Sequence, residues 1–150
     1  MKKQIMKVVA AISFLFVLSA VSAFAQTPKL KANIPFDFQV NGKAMTAGEY
    51  TVAEPASPRG AVIIRGGQKT SAAVSLVRTV DASKTHNATQ LVFRRYGNHY
   101  FLAQMCIKGQ TAAMELPTSK AERNLVRELT GRNLANNKVE PEIVTVALAQ

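Results

Sequence analysis

The chain has 150 residues, which suits one domain with one hydrophobic core. Nineteen lysines and arginines against nine acidic residues give a formal charge of +10, of which +7 belongs to residues 26–150. The single cysteine, Cys106, excludes a small fold stapled by disulfides, and its position in an apolar run predicts a buried, inert thiol.

Residues 1–25 are predicted to be a secretory signal peptide. A start with three lysines and no acid leads into the almost wholly apolar run Val8–Phe24, which ends in the small-x-small pattern Ala23-Phe24-Ala25. The run is short for a transmembrane helix of about 20 residues, although an uncleaved anchor is the alternative. No cysteine directly follows the run to carry a lipid. We therefore expect residues 26–150 to form one exported domain, periplasmic or extracellular, not lipidated and without a membrane span.

The clearest strand signal is the alternation of apolar and polar residues over 31–41. A period of two predicts a strand with one face on the core and one in water. Pro35 cannot donate a ladder hydrogen bond, so this strand should lie at an edge or begin near that residue. Asn41-Gly42 then predicts a turn. The next strands are predicted at 49–52, 61–65 and 71–80.

The strongest hairpin signal covers 90–107. Its turn, Gly97-Asn98, suits the twist of antiparallel strands and pairs Tyr96 with His99. One predicted face carries Leu91, Phe93, Leu102 and Tyr100 beside Arg95, and the other carries Val92, Tyr96, Phe101, Ala103 and Met105 beside Arg94 and His99. Because both faces are largely apolar, we expect a central hairpin with its tip in solvent.

One helix interrupts the strands. Ser119 and Glu122 have the spacing of a capping box with Ser119 as the N-cap, and the helix should run to about Thr130 with Gly131 as its stop. Steps of about 100° per residue give an apolar arc opposite a basic side. The arc contains Ala121, Leu125, Val126 and Leu129, and the basic side contains Lys120, Arg123 and Arg127.

A final strand is predicted at 143–148, which brings the count to about seven strands and one helix in the C-terminal half. Many short strands with turns at this spacing predict a mainly β fold, either an antiparallel β-sandwich or a small barrel. The helix is long enough to cover an open end or edge of such a fold.

Four segments carry a resemblance to a known family: Ile34–Val40, Ala47–Val52, Phe93–Leu102 and Leu116–Arg123. In this order they resemble the small secreted proteins of unknown function that are abundant in Acidobacteria and related soil bacteria. The resemblance implies an exported β domain from a Gram-negative-type bacterium. It implies no activity.

Patterns typical of catalysis or metal binding are missing from the sequence. His86 and His99 have no partner at metal-ligand spacing and are expected to be exposed, and no serine has the glycines of a nucleophile elbow. Asp37, Glu49 and Glu54 could form a carboxylate pair, but alternation places Asp37 on the solvent side of its strand. We therefore expect no enzymatic activity, no cofactor and no metal.

Two clusters are candidate contacts with an anion or a partner, although a solvated basic surface would explain both. The first is the hairpin tip, where cations and aromatic rings lie close together, and the second is the basic side of the helix, where like charges one turn apart repel. Their residues are Arg94, Arg95, Tyr96, His99 and Tyr100 at the tip and Lys120, Arg123 and Arg127 on the helix.

Export, the absence of catalytic patterns and the positive charge together favour a non-catalytic binding or structural domain of the bacterial envelope or the extracellular space. Its partner would be an anionic glycan, a lipid surface or a protein rather than a specific nucleic acid. The alternatives are a small outer-membrane β-barrel and a hydrolase whose site is not visible in the sequence.

Overall fold

The computed structural model describes residues 30–54, 60–67, 71–81, 84–132 and 139–149. The predicted signal peptide lies outside the described residues. Eleven strands and one helix are formed within these ranges. They are β1 (Leu30–Ile34), β2 (Phe38–Val40), β3 (Lys43–Met45), β4 (Gly48–Ala53), β5 (Ala61–Gly66), β6 (Ala72–Leu76), β7 (Arg78–Asp81), β8 (Gln90–Tyr96), β9 (His99–Cys106), β10 (Ala112–Glu115), α1 (Lys120–Arg132) and β11 (Glu142–Ala147).

The strands form two sheets that pack face to face. The first sheet is antiparallel, with the order β1-β4-β5-β6. The second has the order β11-β8-β9-β10-β7, and the β2–β3 hairpin joins it through a parallel bridge between Gln39 and Phe101. The mainly β prediction is confirmed, and of its two forms the structure is the sandwich.

Four more strands are present than predicted: β3 and β10 were not predicted, and two long strand signals each change sheets midway. The alternating segment 31–41 breaks at Pro35, after which β1 belongs to the first sheet and β2 to the second. Segment 71–80 breaks in the same way at Val77, between β6 and β7. Alternation reports which side chains are apolar but not which sheet they enter. The prediction was an edge strand or a strand that begins near Pro35. The structure has β1 at the edge of the first sheet, ending before Pro35, and β2 beginning at Phe38.

The core lies between the two sheets and takes its side chains from both inner faces. Ile34, Val52 and Ile64 of the first sheet are fully buried, as are Leu91 and Phe93 of the second. Full burial of such a side chain contributes about 1.5–3 kcal/mol. The core therefore holds the fold without a disulfide, as the single free cysteine requires.

The central hairpin β8–β9 has the predicted register, with Tyr96 opposite His99. Gly97 has φ +61° at the first turn position. A β-bulge at Ala103 then places Met105 opposite Leu91, on the core side. The prediction that Met105 lies on the other face is wrong, because the bulge adds one residue and reverses the alternation beyond it.

Helix α1 begins with the predicted N-cap. The Glu122 N–H donates to Ser119 Oγ at 3.1 Å. The helix continues through Gly131 to Arg132, so the predicted stop at Gly131 is wrong by two residues. Its half-buried residues Leu125 and Val126 share a side with the buried Glu122, which turns this side toward the second sheet.

Candidate functional site

The hairpin tip separates the predicted candidate residues onto two faces of the second sheet. Arg94 and Tyr96 point to the outer face and contact helix α1, whereas Arg95 and Tyr100 lie side by side on the opposite face. His99 is exposed beside the turn. Because successive side chains of a strand point in opposite directions, these neighbours in sequence do not form one binding patch.

Arg94 and Tyr96 both bind Glu122, the third residue of helix α1. The guanidinium donates from Nε to Glu122 Oε1 at 2.6 Å and from Nη2 to Oε2 at 3.2 Å. Tyr96 Oη donates to Oε1 at 3.3 Å. The side chains of Arg94 and Glu122 are 17% and 2% exposed. Arg94 is therefore committed to a buried bidentate ion pair and offers little free charge to a ligand.

The same contacts set the chemistry of Tyr96. Burial, and then the nearby Glu122 carboxylate, raises the pKa of the Tyr96 hydroxyl above its ordinary value of 10.0. The hydroxyl is consequently a hydrogen-bond donor to the carboxylate throughout the physiological pH range. This role is structural, because it fixes the first turn of α1 on the sheet.

Arg95 is held by a second set of contacts. Its Nε donates to the Gly97 carbonyl at 2.7 Å, and its Nη1 lies 3.1 Å from Glu142 Oε2 on β11. Its Cζ lies 5.4 Å from the centroid of the Tyr100 ring. Tyr100 in turn stacks on Phe36, with ring centroids 4.0 Å apart. Both tip arginines are thus compensated by carboxylates.

Helix α1 presents the remaining candidates differently. Lys120, Arg123 and Arg127, here called the basic stripe, are all exposed. Helical steps of 100° and 1.5 Å per residue place them within a sector of about 60° and over about 10 Å of the axis. Arg123 donates to the Thr118 carbonyl at 2.5 Å.

The basic stripe has no ion-pair partner within the part of the chain that the structure describes. The two acids of the helix are engaged elsewhere, Glu122 with Arg94 and Glu128 with Arg132 at 2.5 Å. The stripe therefore forms a concentrated positive surface. Repulsion within each like-charged pair lowers the stability of the helix by roughly a few tenths of a kcal/mol.

Glu122 is the important residue that sequence reasoning missed, because its capping-box spacing already explained it. The helical periodicity could have predicted that Glu122 is buried. Glu122 falls in the middle of the apolar arc that Leu125, Val126 and Leu129 define. A carboxylate in such an arc requires a buried partner, which points to a cation on the sheet beneath the helix.

The cysteine and the histidines take different environments. Cys106 is buried and free, as predicted, and burial raises the pKa of its thiol, contrary to what a reactive cysteine needs. His99 is exposed, as predicted. The predicted exposure of His86 is wrong. Its N–H donates to Gln110 O and its carbonyl accepts from Gly109 N–H, both at 2.9 Å, so two loops pair and half-bury it.

Within the described ranges, no three side chains of His, Cys, Asp or Glu come together as a metal site. No helix in these ranges is both long enough and apolar enough to cross a membrane. No protein-family model, no curated protein and no solved structure matches the chain.

Proposed function

We propose that this protein is a non-catalytic binding domain that acts after export and contacts an acidic polysaccharide of the envelope or the extracellular space through helix α1. The observation that carries the proposal is the basic stripe, because Lys120, Arg123 and Arg127 are exposed on one side of the helix without a carboxylate partner among the described residues. Three cations over about 10 Å suit a ligand with regularly repeated negative charges.

The anchoring of the helix supports this assignment. The buried pair of Arg94 and Glu122 fixes the first turn of α1, from which Lys120 and Arg123 project. A stripe on a fixed helix loses less conformational freedom on binding than the same cations on a loose segment. The sequence thus places its buried charges and its exposed charges on opposite sides of one helix.

A polysaccharide fits the stripe better than a lipid surface does. Helices that lie in a membrane interface insert an apolar face beneath their basic residues. In α1 the apolar residues Leu125 and Leu129 are half-buried on the side of Glu122, away from the stripe, and Asn124 and Thr130 beside the stripe are polar. The exposed side of the helix therefore offers charge without an apolar group to insert.

The test measures binding of polygalacturonate, with neutral dextran and anionic vesicles as parallel probes. We expect saturable binding of polygalacturonate that weakens roughly tenfold between low and physiological salt, because exposed charges are screened over about 8–10 Å. Dextran should not bind to the stripe. Binding that ignores salt, or stronger binding to the vesicles, would contradict the proposal.

Charge reversal localises the effect. A triple variant Lys120→Glu, Arg123→Glu and Arg127→Glu should lose polygalacturonate binding by at least about tenfold. A matched triple variant, Arg65→Glu, Lys84→Glu and Lys108→Glu, makes the same change of charge at exposed positions outside the helix and should retain most of the affinity. Equal losses in both variants would show that net charge, and not the stripe, drives binding.

A further inference from the structure

A small cleft of about 210 Å³ lies at the end of the sandwich beside the hairpin tip. Three segments that are distant in sequence meet there: the crossover between β1 and β2 at Asp37, the turn between β3 and β4 at Thr46, and the tip at Asn98–Tyr100. Buried Phe38 and Met45 also line the cleft.

Two contacts hold the cleft together. Asp37 Oδ1 accepts the Ala47 N–H at 2.8 Å, which ties the crossover to the turn after β3. The stack of Phe36 on Tyr100 ties the crossover to the tip, and Phe36 also packs edge-on against the buried Phe93 at 5.2 Å. These contacts hold the Asp37 carboxylate and the segments around it in place before any ligand arrives, whereas the exposed side chains of Asn98 and His99 would become ordered on binding.

The polar groups combine acceptors and donors. The Asp37 carboxylate keeps its second oxygen, Oδ2, without a hydrogen-bond donor among the described residues. Around it lie the amides of Gln39 and Asn98 and the imidazole of His99. None of these three side chains makes a hydrogen bond to another described residue, so each can donate to or accept from a ligand.

This chemistry selects the class of ligand. Among the described residues that line the cleft, Asp37 is the one acid and none is a lysine or arginine, which disfavours an anion. Amide and imidazole donors beside the single carboxylate disfavour a cation. A hydroxyl group both donates and accepts, so several hydroxyls on one compact ring match the mixture of groups and the size of the cleft.

We propose that this cleft binds one ring of a neutral saccharide, with Asp37 Oδ2 accepting from a sugar hydroxyl and Asn98 and His99 contacting its neighbours. The proposal does not depend on the basic stripe, which involves none of these residues. It assigns the hairpin tip a polar, uncharged ligand, whereas the sequence predicted a contact there with an anion or a partner.

The test is a titration of the ¹⁵N-labelled protein with D-glucose, D-galactose and D-mannose, and with ethanolamine as a cationic probe. We expect at least one hexose to give saturable amide shifts at 37–39, 44–46 and 98–100, with a dissociation constant of about 1 mM. No saturable shift in these segments with any of the three hexoses would overturn the proposal, as would tighter binding of ethanolamine.

Two variants make the test specific. Asp37→Asn retains an oxygen for the Ala47 N–H but loses the charged acceptor, and should weaken hexose binding at least about tenfold. Glu54→Gln removes an exposed carboxylate outside the cleft and should leave the dissociation constant unchanged. Unchanged binding by Asp37→Asn would overturn the proposal.

The same variants separate this proposal from the binding of acidic polysaccharide. Asp37→Asn should bind polygalacturonate as the unaltered protein does. The triple charge reversal of the basic stripe should bind the hexose normally. If either variant binds neither ligand although its amide spectrum shows that it is folded, one site serves both ligands. That result would overturn the proposal that the cleft is a separate saccharide site.

Discussion

The hairpin tip and helix α1 both carry clusters of basic residues, but the cations of the tip are paired with carboxylates whereas those of the basic stripe are exposed. The adjacent cations Arg94 and Arg95 point to opposite faces of a strand, and each meets a carboxylate. Lys120, Arg123 and Arg127 are separated in sequence but gather on one exposed helix face. A run of basic residues in a sequence therefore predicts a basic surface only when the side-chain period of its strand or helix is taken into account.

The largest expected effect tests the structural role of the tip. Arg94→Ala leaves the buried Glu122 carboxylate without its partner and should lower the free energy of unfolding by about 3 kcal/mol. Arg127→Ala removes the same chemistry from the basic stripe and should change it by less than about 0.5 kcal/mol. Urea denaturation of both variants gives the comparison, and similar losses would contradict the distinction between the two regions.

A paired replacement sharpens that result. The double variant Arg94→Met and Glu122→Leu removes both buried charges and should be more stable than Arg94→Ala, because most of the single variant's loss comes from one uncompensated charge. If the double variant is as unstable as the single one, lost packing rather than the unpaired carboxylate explains the effect.

Phe36→Ala should have the next largest effect. Phe36 is half-buried and packs on both Tyr100 and Phe93, so its loss should cost about 2 kcal/mol, less than a fully buried phenylalanine would. Thermal unfolding measures the loss. A change below about 0.5 kcal/mol would show that the stack does not hold the crossover to the tip.

Tyr96→Phe should have a smaller effect that depends on pH. Removal of the hydroxyl that donates to Glu122 should cost about 1 kcal/mol at neutral pH. The folded protein has the higher Tyr96 pKa, so above pH 10.0 the unfolded chain loses this proton first and stability falls as the pH rises. The variant should lose less stability than the unaltered protein over that alkaline range, as urea titrations at successive pH values would show. An identical alkaline decline in both proteins would contradict the assignment.

Arg95→Ala should have the smallest effect on the tip. In its ion pair with Glu142 the Arg95 side chain is half-buried and that of Glu142 is exposed, so solvent screening should keep the loss below about 1 kcal/mol. Urea denaturation in low and high salt checks this, since the difference from the unaltered protein should shrink in high salt. A loss as large as that of Arg94→Ala would place Arg95 among the structural residues.

Local chemistry made part of the fold predictable. The turn at Gly97-Asn98 fixes the register of β8 and β9, and Ser119 fixes the start of α1. The sheet changes at Pro35 and Val77 were not predictable, because period-two alternation is the same in either sheet. They depend on contacts between segments that are far apart along the chain.

The candidate site also has a part that local periodicity predicts and a part that depends on contacts between distant segments. The exposed face of α1 follows from helical periodicity alone, so the sequence was enough to place Lys120, Arg123 and Arg127 on one side of the helix, and all three are exposed. The burial of Arg94 needs Glu122, which is 28 residues away, and the polar cleft needs three separate segments. A single sequence indicates which residues share an element face but not which faces meet.

We propose that the basic stripe, and not the hairpin tip, contacts an acidic polysaccharide. Amide shift mapping during a titration of the ¹⁵N-labelled protein with polygalacturonate tests it most directly. We expect the largest saturable shifts in residues 118–128 and expect these shifts to collapse when salt is added. Shifts concentrated at residues 94–100, with α1 unaffected, would contradict it.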